Sequence, residues 1–168
     1  MDKKKYNLIN EHKFEFPKKV DHFKFIDLIK NQEFGVLTTS FNNNPYSTLV
    51  AFIFDERANS VFFVTSHYTR KFQYIESNNK VSFFVDNRDI SENFIHINTV
   101  CIQGTVNIIK NISKVAYIKQ LITDKYPYLN ELCTSKACVT LKIQIKEIFF
   151  VTKVHEVQQV SINGNDRK

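Results

Sequence analysis

The chain of 168 residues has no tryptophan, only 3 glycines and 3 prolines, and 3 cysteines, Cys101, Cys133 and Cys138. An odd number of cysteines without Cys-x-x-Cys spacing argues against a disulfide framework and against a zinc site. No apolar run approaches the roughly 18–20 residues that a membrane span needs. The first residues are charged and include no apolar segment of the secretory type. We therefore expect a cytoplasmic protein with reduced thiols and no membrane partner.

The composition is that of a globular protein. Hydrophobic residues make up 43% of the chain and charged residues 24%, so the chain can bury a core and is not disordered. The formal net charge of +6 raises nucleic-acid binding as a hypothesis. Much of that excess lies near the N-terminus, and no nucleic-acid-binding motif accompanies it. We predict a basic arm over residues 1–19, a single domain over residues 20–168, and no nucleic-acid partner.

The hydrophobic pattern predicts a mainly β protein. The cleanest element is the strand CVTLKIQIK, in which apolar residues alternate with polar ones from Val139 to Lys146. Helices are predicted over Asp21–Asn31 and Thr69–Ser77, and Ser113 is expected to cap another. Further strands are predicted over Gly35–Ser40, Tyr46–Phe54, Ser60–Thr65, Val81–Val85 and Val100–Ile109. Six or so strands with short turns and short helices favour an antiparallel barrel.

The segment Phe63–Lys71, FVTSHYTRK, carries the most chemistry. An apolar strand runs into Thr-Ser, a short loop, and then Thr-Arg-Lys at the start of an amphipathic helix. Backbone N–H groups at a helix start have no intrahelical partner and carry partial positive charge. Thr69 can cap the helix, and Arg70 and Lys71 add full charges, so the segment suits a phosphate monoester. The alternative is an ordinary capped surface helix with two solvated cations.

Four segments resemble the pyridoxamine 5′-phosphate oxidase-like family, the FMN-binding split β-barrels. They are FGVLTTS (34–40), NPYSTLVAFIF (44–54), VFFVTSHYTRKFQYIESNNKVSFFV (61–85) and CIQGTVNII (101–109), and the third is the most specific. The resemblance implies an antiparallel split barrel that forms a homodimer, with one FMN in each of two crevices between the subunits.

The resemblance also implies a set of cofactor-binding residues. Thr69, Arg70 and Lys71 match the family's phosphate grip, and Thr65 and Ser66 would bond the phosphate or the ribityl chain. Leu49 and Val50 would lie near the isoalloxazine. Two positions depart from the family: Thr48 stands where a second phosphate-binding arginine is expected, and Thr99 stands where a glutamine would contact the flavin.

Other departures concern vitamin B6 recognition. Ile53 occupies the position of a substrate-binding lysine, and no Arg-x-His element follows Val151. We therefore expect an FMN-dependent oxidoreductase that passes hydride or electrons from a reduced nicotinamide, or another donor, to a small organic acceptor. It would not be a pyridoxamine phosphate oxidase. The alternatives are a flavin-binding protein without turnover and a haem-binding relative. His67 is expected to be an exposed loop residue and Cys101 to be packed.

Overall fold

The computed structural model describes residues 22–57, 59–88, 97–152 and 156–162. The predicted arm, 1–19, and residues 89–96 lie outside these ranges. In chain order the elements are α1 (His22–Asn31), β1 (Phe34–Phe41), β2 (Asn44–Ala51), β3 (Ile53–Asp55), β4 (Ser60–Ser66), α2 (Arg70–Ser77), β5 (Lys80–Asp86), β6 (Thr99–Ile108), α3 (Ile112–Lys125), a 3-10 turn (Pro127–Leu129), α4 (Asn130–Thr134), β7 (Cys138–Thr152) and β8 (Glu156–Ser161).

The strands form one antiparallel sheet. Its order is β2-β1-β5-β6-β7-β4-β3, and β8 pairs with β7 beyond the end of β4. The strands at the two ends of this order, β2 and β3, are consecutive in the chain and separated by Phe52 alone. The sheet therefore curls until the chain itself joins its ends. This curled antiparallel sheet with short flanking helices confirms the predicted split-barrel fold.

The inward face of the sheet holds the main core. Along β5, Val81, Phe83 and Val85 are buried while the residues between them are partly exposed, as expected for a strand with one buried face. Helix α1 adds Phe25, whose ring makes edge-to-face contacts with Phe54 at 5.8 Å and with Phe150 at 6.3 Å between centroids. The abundant phenylalanines thus fill the barrel.

A second apolar cluster covers the outward side of β4. Helix α3 contributes Ile118 and Ile122, which pack with Phe62 and Val64 of the strand and with the buried Tyr126. Within the described residues, no helix combines the length and the apolar character needed to cross a membrane.

The predicted strand over Tyr46–Phe54 is interrupted at Phe52, which leaves β2 and β3 as separate strands. At this position the hydroxyl of the buried Tyr126 donates to the carbonyl oxygen of Phe52 at 2.8 Å and lies 2.7 Å from that of Glu33. The break lets the chain turn from one end of the sheet to the other.

Two other boundaries differ from the prediction. Strand β7 continues from the predicted end at Lys146 to Thr152, and β8 follows where no clear pattern was seen. Helix α3 is capped by Asn111 rather than Ser113, because the Asn111 side chain accepts a 2.9 Å hydrogen bond from the Lys114 N–H.

Backbone geometry explains two positions in the sheet. A turn at Asn42 and Asn43 joins β1 to β2, with Asn42 at φ 48° and Asn43 at φ 62°, as a two-residue hairpin of the primed type requires. Gly104 lies at a register shift between β6 and β7, where an added Cβ would stand 2.3 Å from the carbonyl oxygen of Gln144. Only glycine allows the two strands this approach.

Candidate functional site

The end of β4, the loop after it and the start of α2 together carry five of the nine residues predicted to bind the cofactor. Strand β4 is buried from Ser60 to Thr65, and the chain leaves the sheet at Ser66. Helix α2 starts four residues later and buries Phe72 and Ile75 against the barrel. The loop is therefore held between a fixed strand end and a fixed helix start.

Hydroxyl groups converge inside this loop. The Thr69 hydroxyl donates to the carbonyl oxygen of Ser66 at 2.8 Å and lies 3.1 Å from the hydroxyl of the buried Thr65. The Ser66 hydroxyl accepts a 3.2 Å hydrogen bond from the N–H of Tyr68. Thr69 thus occupies the N-cap position of α2, but its side chain makes no capping bond. The prediction that its hydroxyl caps the helix is wrong, because the hydroxyl is used inside the loop.

The helix start presents free donors. The N–H groups of Phe72 and Gln73 bond to the Thr69 carbonyl, and that of Thr69 bonds to Ser66. The N–H groups of Arg70 and Lys71 have no partner among the described residues. The first turn of the helix also has no acidic residue. Two such donors with the positive end of the helix behind them are an arrangement that favours anions.

The two cations of the site differ in surroundings. Arg70 is exposed, and its guanidinium carbon lies 5.4 Å from the centre of the Tyr46 ring on β2. Lys71 is partly buried, and loss of hydration lowers the pKa of its ammonium group below the usual 10.5. Among the described residues no carboxylate pairs with Lys71. A partly buried cation without a counter-ion is disposed to accept an anion.

Strand β2 approaches the site through Tyr46. The Tyr46 ring also packs edge-on against Tyr74 of α2, with 6.0 Å between centroids. Because side chains alternate along a strand, Thr48 shares the face of Tyr46. Leu49 lies on the opposite face and is 66% exposed, and Val50 is buried. Thr48 is therefore on the face of β2 that approaches the start of α2 through Tyr46, whereas Leu49 is not.

Thr99 does not join these residues within one chain. On strand β7, Val139 pairs with Thr65 of β4, and Val151 pairs with Thr99 of β6. Twelve residues of extended strand span about 40 Å. A site that includes both Thr65 and Thr99 would need residues from two chains.

His67 has a role that its sequence position did not indicate. It is partly buried, its backbone N–H donates to the carbonyl oxygen of Ala137 at 3.0 Å, and its Nδ1 lies 3.1 Å from the same oxygen. These contacts tie the loop to the turn before β7. The expectation of an exposed His67 is wrong, and no signal in the sequence points to Ala137, which is 70 residues away.

A large cleft lies away from the nine predicted residues. It has a volume of about 840 Å³ and is lined at the register shift of β6 and β7 by residues that include Lys80, Gly104 and Lys146. None of the nine predicted residues lines it. We place the candidate site at the β4–α2 loop and the start of α2 in spite of this volume, because the free N–H donors and the partly buried Lys71 are there. A shallow loop encloses little space by itself.

Comparison with known proteins identifies the fold. The chain resembles a haem-binding protein from Mycobacterium smegmatis (9% identity, TM-score 0.71, 80% of this chain and 55% of that chain). It also resembles an FAD-binding protein from Mesorhizobium loti (12% identity, TM-score 0.62, 77% and 92%). A third match is a putative pyridoxamine 5′-phosphate oxidase from Listeria innocua (17% identity, TM-score 0.63, 77% and 96%).

These identities show a shared fold alone, and the chain spans little more than half the length of the mycobacterial protein. No curated protein matches the sequence. The sequence profile of the pyridoxamine 5′-phosphate oxidase family, however, matches residues 24–161. Because that match covers most of the chain, the protein belongs to the pyridoxamine 5′-phosphate oxidase family.

Proposed function

We propose that the protein binds FMN and acts as an FMN-dependent oxidoreductase. The observation that carries the proposal is the partly buried Lys71, which has no carboxylate partner among the described residues and lies at a helix start with two free N–H donors. A phosphate would accept from these donors and restore a charge partner to Lys71. The residues present therefore fit the terminal phosphate of FMN.

The other predicted residues are given roles by their positions. Arg70, oriented by the Tyr46 ring, can form a two-point contact with phosphate oxygens. Ser66 can bond the phosphate or the ribityl chain, while Thr65 and Thr69 hold the shape of the loop through their 3.1 Å contact. Thr48 lies on the face of β2 that carries Tyr46 and supplies a neutral hydroxyl in place of a charge.

A homodimer would complete the site. An apolar row runs across the outward face of five strands in register: Leu49, Val36, Phe84, Cys101 and Phe149. All five side chains are at least partly exposed. Contiguous exposed apolar residues on a sheet mark an interaction surface, and a two-fold interface uses the same patch on both chains. Thr99 lies beside this row, so it would reach the flavin of the partner.

Bound FMN would supply the redox chemistry, because flavins transfer hydride or single electrons and the protein positions them. The residues of this chain would hold the cofactor and leave one face of the crevice open to a small acceptor. Recognition of a vitamin B6 phosphate is not proposed, since Thr48 and Ile53 replace the charged residues that it would require.

The test is spectroscopic. Purified protein reconstituted with FMN is expected to retain the visible absorption of an oxidised flavin after gel filtration. NADH or NADPH should bleach this band, and an organic acceptor should restore it. Retention of the band without bleaching by any donor would support a flavin-binding protein without turnover. Loss of FMN on gel filtration would contradict the proposal, and retention of haem with a Soret band would favour the haem-binding alternative.

A further inference from the structure

Cys133 and Cys138 lie on either side of one turn on the outward side of the sheet. Cys133 belongs to α4 and is buried in the second apolar cluster, and Cys138 begins β7 and packs against the same cluster. In the turn between them, the N–H of Cys138 donates to the carbonyl oxygen of Ser135 at 3.1 Å. Both thiols are free. Two free thiols at one turn are the starting point for a reversible disulfide.

One ammonium group contacts both cysteine residues. Lys119 of α3 donates to the carbonyl oxygen of Cys133, with 2.6 Å between Nζ and the oxygen, and it also hydrogen-bonds the side chain of Cys138. The thiols act on each other as well, because burial raises the pKa of the Cys133 thiol and the neighbouring Cys138 raises it further. These contacts bring both sulfur atoms into one small region between α3, α4 and β7.

The two thiols differ in their access to reagents. Cys138 is partly exposed, whereas Cys133 is buried. Burial raises the pKa of the Cys138 thiol, and the charge and hydrogen bond of Lys119 oppose that rise. A neighbouring cation favours the thiolate, which is the reactive form of cysteine. We therefore expect an oxidant to reach Cys138 first and Cys133 to react with the product.

The backbone at Cys138 adjoins the contacts that hold the β4–α2 loop. Cys138 pairs with Ser66 between β7 and β4. The preceding carbonyl oxygen, that of Ala137, accepts from the His67 N–H at 3.0 Å and lies 3.1 Å from its Nδ1. A disulfide holds its two Cα atoms about 4.4–6.8 Å apart with a restricted dihedral angle. A backbone adjustment toward that geometry at Cys138 would pass directly to Ser66 and His67.

We propose that Cys133 and Cys138 form a redox-sensitive pair, and that their oxidation to a disulfide by a hydroperoxide distorts the β4–α2 loop and weakens the binding of FMN. This regulation rests on the proposed flavin function. It acts on the same site from outside it, because neither cysteine is among the residues that would contact the cofactor.

The reaction has two steps. The Cys138 thiolate attacks one oxygen of hydrogen peroxide, the O–O bond breaks, and a sulfenic acid and water form after protonation. The Cys133 sulfur then attacks the sulfenic sulfur, the S–O bond breaks, and the oxygen leaves as a second water. Overall, two thiols are oxidised to one disulfide while one peroxide is reduced to two waters.

The experiment compares the reduced, peroxide-treated and re-reduced forms of the full chain. Wild type and Cys138→Ser are treated with hydrogen peroxide, the excess is removed with catalase, and FMN is titrated before and after addition of dithiothreitol. Peptide mapping after alkylation identifies the cysteines that are joined. In the wild type we expect a Cys133–Cys138 disulfide and FMN affinity weakened about 5- to 150-fold, the usual range of coupling between two sites. Dithiothreitol should restore the affinity.

The matched control is Cys138→Ser, in which this disulfide cannot form and peroxide should leave FMN affinity unchanged. An equal loss in this variant, a disulfide through Cys101 instead, or a Cys133–Cys138 disulfide that leaves FMN affinity unchanged would each refute the regulation while the phosphate site stands. If the reduced wild type does not bind FMN, the proposed function fails and the regulation fails with it. Circular dichroism checks the fold, and Cys138→Ala would replace a misfolded Cys138→Ser in the same titration.

Discussion

At the scale of single residues, Lys71 decides how the site is understood. Its ammonium group loses hydration in the folded protein without gaining a carboxylate among the described residues. Burial of an unpaired charge opposes folding. A bound anion would offset this cost, so the folded protein with an anion at Lys71 would be more stable than the folded protein alone. Such a surrounding is typical of lysines that bind ligands and not of solvated surface lysines.

The first prediction concerns both cations. Arg70→Ala combined with Lys71→Ala is expected to weaken FMN binding by about 3 kcal/mol or more, because each charged hydrogen bond contributes roughly 1.5–3 kcal/mol. This corresponds to a loss of at least about 100-fold in affinity, measured by titration of flavin fluorescence. The matched control is Lys80→Ala with Lys146→Ala, which removes two exposed cations from the distant cleft. Equal affinity in the two double variants would refute the phosphate site.

The second prediction concerns pH. Because burial lowers the pKa of Lys71 below 10.5, the unfolded chain binds more protons at this group than the folded one. The resulting loss of stability is complete below the folded pKa and disappears as the pH rises to the unfolded value. In the absence of FMN and at neutral pH, Lys71→Met should therefore unfold at a higher urea concentration than the wild type. The two curves should converge toward pH 10.5, and a constant difference across this range would contradict the assignment.

Arg70 and Lys71 could be named from the sequence as candidates for a phosphate site because they are adjacent in the chain, whereas the contacts around them could not be predicted. Arg70 and Lys71 follow a strand and open a helix, and both signals are local. The anchoring of His67 by Ala137 and the orientation of Arg70 by Tyr46 join segments far apart in the chain. Such contacts exist only after the sheet has formed.

At the scale of elements, a predicted helix or strand was correct where its boundaries depend on neighbouring residues, and it was wrong where they depend on contacts with distant parts of the chain. The alternation that predicted a strand from Val139 was correct, because it reflects the backbone preference of a few successive residues. The interruption at Phe52 was missed, since nothing in LVAFIF breaks a strand. At that position the Phe52 carbonyl is bound by Tyr126, which is 74 residues away. The extension of β7 was missed because its second half is apolar on both faces.

The third prediction tests the register shift in the sheet. Gly104→Ala would place a Cβ 2.3 Å from the backbone oxygen of Gln144, and a backbone atom cannot move aside as a flexible side chain can. The free energy of unfolding is expected to fall by about 1–3 kcal/mol, measured by urea denaturation. Asn107→Ala, an exposed position on the same strand, serves as the control and should be nearly neutral. If Gly104→Ala left the free energy of unfolding unchanged, β6 and β7 would have to be farther apart at this position than the structure shows.

At the scale of the whole molecule, the fold places the β4–α2 loop and Thr99 beside opposite ends of β7. About 40 Å of β7 separates their partners, which is too far for one small cofactor to span in one chain. The apolar row from Leu49 to Phe149 offers a surface through which a second copy could supply Thr99. The family fold was predictable from sequence, whereas this separation required the strand register.

The fourth prediction tests the proposed dimer. Leu49 is 66% exposed, so Leu49→Lys should leave the folded chain intact while placing a charge in the apolar row. Light scattering after gel filtration is expected to show a dimer for the wild type and a shift toward monomer for the variant. Ile112→Lys, at a position 85% exposed on α3, should remain dimeric. A wild type that is monomeric and still retains FMN would contradict a site shared between chains.

Strand β7 pairs with β6, β4 and β8 and so holds the two halves of the sheet together. Strand β7 starts only at Cys138, and the residues of β4 with which it pairs lie more than 70 positions earlier in the sequence. During synthesis the earlier strands must therefore wait on the ribosome with an open edge until this late segment emerges. Pairing over such long separations slows folding, so the nascent chain spends that interval with its phenylalanine-rich interior uncovered, which is when chaperones would be needed most.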